Sequence, residues 1–133
     1  MTSVRISASV SLVAGTTIFI PSGAAGEHLI VVIIGAKMVG KVEKILLAPI
    51  ETVIPKSDIS CLLDVDDHPF IIHKSHMGYR HCREDDLSHV MECIQSGYFR
   101  LGQTVSNDVL NRIARGYTLS NQVPRYIKRA WDV

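Results

Sequence analysis

The chain is predicted to be α+β and mainly β: a small β-barrel over residues 15–83, then a helical segment over residues 84–133, together one domain. Three observations predict this. Short runs rich in Val, Ile and Thr recur between Gly and Pro turn signals as far as residue 83. The apolar spacing then changes to the i, i+3, i+4 pattern of helices. Hydrophobic residues make up 47% of the chain but aromatic ones only 6%, so the core must be aliphatic, which suits strands. At 133 residues the chain can bury a core without staples.

Residues 1–14 alternate apolar and polar side chains (Val4, Ile6, Ala8 and Val10 against Arg5, Ser7 and Ser9), which fits an edge strand or a loose arm. Gly15 opens the strand TTIFIP, closed by Pro21, and Ser22–Gly26 is a loop of small residues. Leu29–Ile34 is apolar at every position, so it is expected to be buried on both faces or to line a barrel. With the preceding strand it forms a hairpin. Gly35 and Gly40 bracket the next connection, Val42–Ala48 is a third strand ended by Pro49, and Ile59–Leu63 is a fourth after a turn at Pro55 and Asp58. An acidic loop (Asp64, Asp66, Asp67) leads to a turn at His68–Phe70, where Pro69 cannot join a ladder. Ser75–Cys82 is the fifth strand. Strands of this length and frequency suit a barrel or a sandwich, and the barrel is the expectation carried forward.

Three helices complete the pattern. Asp85–Gln95 spaces Leu87, Val90, Met91 and Ile94 for one face, with Gly97 as its stop. Ser106–Ala114 has Ser106 as N-cap, a stripe of Val109, Leu110 and Ile113, and Gly116 as its end. Asn121–Trp131 tolerates Pro124 in its first turn.

Net charge is +1, which implies no polyanion partner for the chain as a whole. Its distribution is uneven: residues 1–98 hold 8 basic and 11 acidic side chains, residues 99–133 hold 6 and 2. A basic tail can face nucleic acid or simply be a solvated helix surface. Three cysteines at irregular spacing (Cys61, Cys82, Cys93) argue against a disulfide framework and for a reducing compartment. Cys61 and Cys93 are expected to be small apolar filling. No apolar run reaches membrane-spanning length, and serines interrupt the N-terminal stretch, making it a poor secretory segment. A cytoplasmic protein without membrane contact is expected.

The chemistry concentrates in HPFIIHKSHMGYRHCR, residues 68–83, which holds four of the six histidines beside Ser75, Tyr79, Arg80 and Arg83. Imidazole exchanges protons near neutral pH, and arginine holds phosphate. Cleavage of RNA by its own 2′-hydroxyl needs a base, an acid and a cation on the phosphate, and these residue types supply all three. If Ser75–Cys82 is one regular strand, His76 and Arg80 share a face, while Ser75, Tyr79 and His81 share the other.

Taken together, GTTIFIP, LIVVII, KILLAPIETVIPKS and a strand carrying KSHMGYR resemble the PemK/MazF-like family over residues 15–83. HPFIIHKSHMGY further resembles an uncharacterised bacterial and phage branch related to that barrel. The resemblance implies an SH3-like, PemK-like barrel. It also implies an endoribonuclease of a toxin–antitoxin module, RNA as substrate, an antitoxin or other protein partner, a homodimer and a phage or mobile-element setting. Two positions depart from the family. Its usual Arg before the second strand is replaced by Glu27 and His28. Its hydroxyl residue after Pro-Ile is replaced by Glu51, with Thr52 one place later, a shift that turns the hydroxyl to the other face of the strand.

The candidate catalytic residues are therefore His28, Thr52, His73 and Arg80, with Arg80 on phosphate, a histidine as base and Thr52 as a hydrogen-bond donor. No cofactor pattern is present: Ser22–Gly26 lacks the Lys-Ser/Thr ending of a phosphate-binding loop and precedes no helix. His89 and Cys93 stand at the chelating i, i+4 spacing, but no Cys-x-x-Cys or His-Glu-x-x-His accompanies them, and no metal is expected. His68 is expected to shape its turn by bonding the backbone, and Tyr79 to be a barrel-face aromatic with its hydroxyl at the rim.

Two alternatives stand beside the ribonuclease. One is a non-catalytic protein-interaction module of the same fold. The other is a DNA-binding regulator whose last two helices form a helix-turn-helix, with Arg125, Lys128 and Arg129 joining Arg80 as nucleic-acid contacts. The simpler expectation for the tail is a cap whose Val123, Ile127 and Trp131 pack on the barrel.

Overall fold

The computed structural model describes residues 12–132; the alternating stretch expected over residues 1–14 lies, up to residue 11, outside them. The fold is α+β, built on a mainly antiparallel seven-stranded sheet. Its strands are β1 (Thr17–Pro21), β2 (Glu27–Val39), β3 (Val42–Thr52), β4 (Leu62–Leu63), β5 (Ser75–Met77), β6 (Arg83–Asp86) and β7 (Arg100–Leu101). Three α-helices are described: α1 (Leu87–Gln95), α2 (Asn107–Leu119) and α3 (Arg125–Ala130). The hydrogen-bonded order is β4-β5-β3-β2-β1-β7, with β6 also on β3. Among the described residues this path does not close on itself.

Strands β2 and β3 form the centre. Gly40, at φ 66°, allows the two-residue turn that pairs Val39 with Val42. The uninterrupted apolar runs now have a reason: both faces are covered. Val31, Ile33, Leu46 and Ala48 join Val109, Ile113, Ile127 and Trp131 of the helical tail in one buried cluster. Ile30, Val32, Ile45 and Leu47 join Val90 of α1 and Phe99 in a second. The sheet is thus the middle layer between α2 and α3 on one side and α1 on the other. Of the two expectations for Leu29–Ile34, burial on both faces is the one realised.

Several boundaries differ from expectation. Pro49 does not end β3, which runs on to Thr52. Its carbonyl accepts from Gly78 N–H at 2.8 Å, so its nitrogen faces the same edge of β3. There the ladder passes from β6, last paired at Leu47–Arg83, to β5, first paired at Ile50–Met77. The missing N–H falls in the gap between two partners, where no ladder bond is lost. The fourth strand shrinks to Leu62–Leu63. The fifth stops at Met77 and becomes a 3₁₀ turn over Tyr79–His81, so the two alternating sets drawn through residue 82 do not hold. The first half-turn expected of the 85–95 helix is instead β6, because Asp85 and Asp86 pair with Ile45 and Lys44.

Gly116 does not end α2, which continues to Leu119. A Cβ there would lie 2.5 Å from the Tyr79 hydroxyl and 2.9 Å from the Ser60 carbonyl oxygen, so the glycine serves close packing instead. Ser106 caps α2 as expected, accepting from Val109 N–H at 3.2 Å. The third helix is shorter than expected, Arg125–Ala130, with Pro124 before it. Val123, Ile127 and Trp131 are buried, so the tail is a cap on the sheet. Tyr79 is not at a rim: it is fully buried and donates to the Ile113 carbonyl at 2.6 Å.

Candidate active site

The site forms where β2 and β3 leave the covered part of the sheet. Ile30 pairs with Pro49, and two residues further along each strand stand His28 and Glu51, on the same face as that pair. Leu47, also on this face, pairs with Arg83 of β6. His28, Glu51 and Arg83 accordingly line one cleft of about 250 Å³, floored by Ile30 and Leu47, and His81 completes it.

Gly78 brings His81 there. It follows β5 at a φ of −81°, so its backbone demands no glycine. Its close approach to Glu51 does: a Cβ would meet the Glu51 carboxylate carbon at 2.5 Å. The 3₁₀ turn then swings His81 back until its Nδ1–H donates to Glu51 Oε2 at 2.7 Å. The other carboxylate oxygen, Oε1, lies 3.5 Å from Nε2 of buried His76, which is paired with Glu51 across β3 and β5. His76 Nδ1 is 3.1 Å from the Met77 carbonyl, so both its nitrogens face oxygen acceptors. One carboxylate therefore anchors two imidazoles. It holds His81 by Nδ1, which leaves Nε2 outside the pair on an exposed ring.

A second cleft, about 550 Å³, opens beside the first and shares His28 and Glu51 with it. Its wall holds Thr52 and His73, whose Oγ1 and Nε2 are 2.7 Å apart, and the exposed apolar side chains of Phe70 and Ile72. Three of the four sequence candidates, His28, Thr52 and His73, thus come together. Arg80 does not join them. It stands on the 3₁₀ turn in a third groove with His76 and His81.

Sequence reasoning passed over Glu51, which entered only as a departure from a motif, and did not select His81 or Arg83. The usable signals were Glu51 one place before Thr52, hence on the opposite face, and Gly78 inside the histidine run, a residue that permits close backbone approach.

The other histidines do different work. His68 is buried; its Nε2–H donates to the Gln103 carbonyl at 2.7 Å and its Nδ1 accepts from Phe70 N–H at 3.1 Å. The turn-shaping role expected of it is what the contacts describe. His89 and Cys93 do meet, Nε2 to Sγ at 3.7 Å, but among the described residues no group of three or more His, Cys, Asp or Glu could hold a metal. Cys61 and Cys82 are buried, and burial pushes their thiols up to about 11 and about 12. Cys93 is only half-buried.

In the tail, Lys128 is spent internally, donating to the Thr118 carbonyl at 3.0 Å and lying over the Tyr117 ring. Arg100 is bidentate to Glu27, and Arg112 binds Asp67 and the Leu62 carbonyl. Arg125 and Arg129 remain exposed on α3. Among the described residues no helix is long and apolar enough to cross a membrane.

No family model and no curated protein matches this chain.

Proposed function

We propose that the chain is an endoribonuclease that cleaves single-stranded RNA through the 2′-hydroxyl, with Glu51, His81, His28 and Arg83 as its site. One observation carries the reading: the 2.7 Å pair between Glu51 and His81 Nδ1, in a cleft that also holds a second imidazole and a guanidinium. His81 Nε2 takes the 2′-hydroxyl proton as O2′ attacks phosphorus. His28 gives a proton to O5′ as the P–O5′ bond breaks, leaving a 2′,3′-cyclic phosphate and a free 5′-hydroxyl. Arg83 meets the charge that builds on the phosphoryl oxygens. Glu51 touches no reacting atom; it fixes the His81 ring and tautomer.

This assignment moves the site by one residue from Thr52 to Glu51, and from His73 and Arg80 to His81 and Arg83. On the same reading the open sheet is a splayed relative of the SH3-like PemK/MazF-like toxin barrel. The antitoxin partner and the homodimer implied by that resemblance, and the cytoplasmic setting expected from the cysteines and the lack of a membrane-length apolar run, are part of the proposal.

A second reading, a protein-interaction module, is favoured by the larger cleft, where Phe70 is 46% and Ile72 78% exposed. The test separates the two. Purified protein is incubated with a fluorescent single-stranded RNA and the product ends are identified. Cyclic-phosphate ends, lost in His81→Ala and in His28→Ala, support the nuclease. Intact RNA under all conditions rejects it and leaves the interaction module.

A further inference from the structure

Lys56 is the only non-glycine residue with a positive φ among those described, at 74°. It occupies the third position of the turn Ile54-Pro55-Lys56-Ser57. That turn is closed by Ser57 N–H to the Ile54 carbonyl at 3.1 Å and by Ile54 N–H to Ser57 Oγ at 2.9 Å. With Pro55 second, this is the type II pattern, whose third position suits glycine or asparagine and strains a lysine. A strained residue is a pointer to a site when its side chain has somewhere useful to be. Lys56 lines the third groove, about 240 Å³, with Arg80, His76 and His81.

The charge balance of that groove is informative. Its two carboxylates are engaged: Glu51 by His81 and His76, Asp58 by the Ser60 hydroxyl and N–H and by the Ser120 hydroxyl. Lys56 and Arg80 are both exposed and have no ion-pair partner among the described residues. Two cations without ion-pair partners therefore stand beside carboxylates already turned to other groups, in a groove that shares His81 and Glu51 with the cleft assigned to catalysis.

We infer that this groove carries the RNA strand away from the scissile bond, with Lys56 and Arg80 each contacting a neighbouring backbone phosphate. The inference rests on the ribonuclease reading for which cleft holds the reacting phosphate. It adds substrate-binding residues that act on affinity. Both contacts are to phosphate, so they favour single-stranded nucleic acid without reading its bases.

The test uses the full chain and a short fluorescein-labelled 2′-O-methyl oligouridine, which lacks the reacting hydroxyl and stays intact. Affinity is read by anisotropy between about 50 and 200 mM salt. Lys56→Gly and Arg80→Gln should each weaken binding at low salt. Each should also reduce the slope of log affinity against log salt by about 0.7, the value for one phosphate contact on a single strand. Lys56→Gly should melt no lower than the parent, because glycine relieves the turn; that separates lost contact from lost fold. Parental slopes in both variants, or no oligouridine binding by the parent, overturn the inference. Parental slopes with cleavage still abolished by His81→Ala would overturn the groove and leave the ribonuclease standing. Lowered slopes in a protein that cleaves no RNA would leave the groove and reject the ribonuclease.

Discussion

Glu51 and Thr52 are consecutive residues of one strand, each bonded to an imidazole, and the two arrangements are not equivalent. Thr52 meets His73 at 2.7 Å, but both are exposed, and a hydroxyl, which both donates and accepts, does not hold the ring in one tautomer. Glu51 meets His81 at the same distance, sits over the Gly78 backbone, and is buttressed by a buried second histidine on its other oxygen. An ionised acceptor bonds more strongly than a hydroxyl, and Glu51 is only half-buried and held on both oxygens, although His81 is as exposed as Thr52 and His73. The lesson is that contact distance alone does not mark a working site; what restrains the contacting groups does.

The sharpest way to break this contrast is to remove each imidazole in turn. His81→Ala should cut RNA cleavage by about 10²–10⁴-fold, the usual worth of a positioned acid or base. His73→Ala should change it by less than about threefold, because His73 is given no proton to move. Steady-state cleavage of one oligonucleotide by both variants checks this, and equal losses would erase the distinction. Glu51→Gln keeps the shape of the carboxylate but not its charge. It should lower kcat by about 10²-fold with little change in KM, as expected of a group that orients the base.

Two glycines sharpen the same comparison, since a Cβ at either would come within 2.5 Å of a neighbour. At Gly116 the neighbours include the Ser60 backbone and the hydroxyl of buried Tyr79, which cannot retreat. Gly116→Ala should cost about 1–3 kcal/mol in denaturant unfolding. At Gly78 the nearest neighbours are all atoms of the Glu51 carboxylate, the far end of a side chain. Gly78→Ala should cost less than about 1 kcal/mol, yet displace the carboxylate and lower cleavage by about tenfold. A variant that loses stability instead of activity would show that Gly78 serves the fold.

The smallest effect concerns Asp58, which ties the end of α2 to the 57–60 turn. Burial raises its pKa, but the Ser120 and Ser60 hydroxyls and the Ser60 N–H outweigh burial and hold it below the ordinary carboxylate range. A depressed folded pKa means that its contribution is fully present above the unfolded value, near 3.9, and is lost as pH falls through the folded one. Asp58→Asn should cost about 1 kcal/mol at neutral pH, and the gap to the parent should narrow in acid. Melting curves from neutral to acidic pH would show it; a constant gap would mean that the carboxylate's charge does not matter there.

Much of this was legible in the residues. The Val/Ile runs announced strands, Ser106 announced a helix start, and the stripe of Val123, Ile127 and Trp131 announced a cap. What misled was punctuation. Pro49 and Gly116 look like stops, but Pro49 falls where β3 changes partners and Gly116 admits Tyr79 and Ser60 against a helix. Neither reason is local, so no window of sequence contains it. The histidine run likewise showed where chemistry collects without showing which ring would be held, because Gly78 and the turn after it broke the alternation on which the choice depended.

Composition and periodicity by themselves determined that this chain forms aliphatic strands with a helical end, because burial of apolar faces follows residue spacing directly; that the strands form an open antiparallel sheet and not the expected barrel was decided in three dimensions. The tertiary structure alone decided that the sheet is covered on both sides, and that Glu51, from one strand, meets His81 across a turn thirty residues later. Long-range pairing sets those outcomes: it depends on where each strand edge finds its partner, which spacing within a strand does not encode.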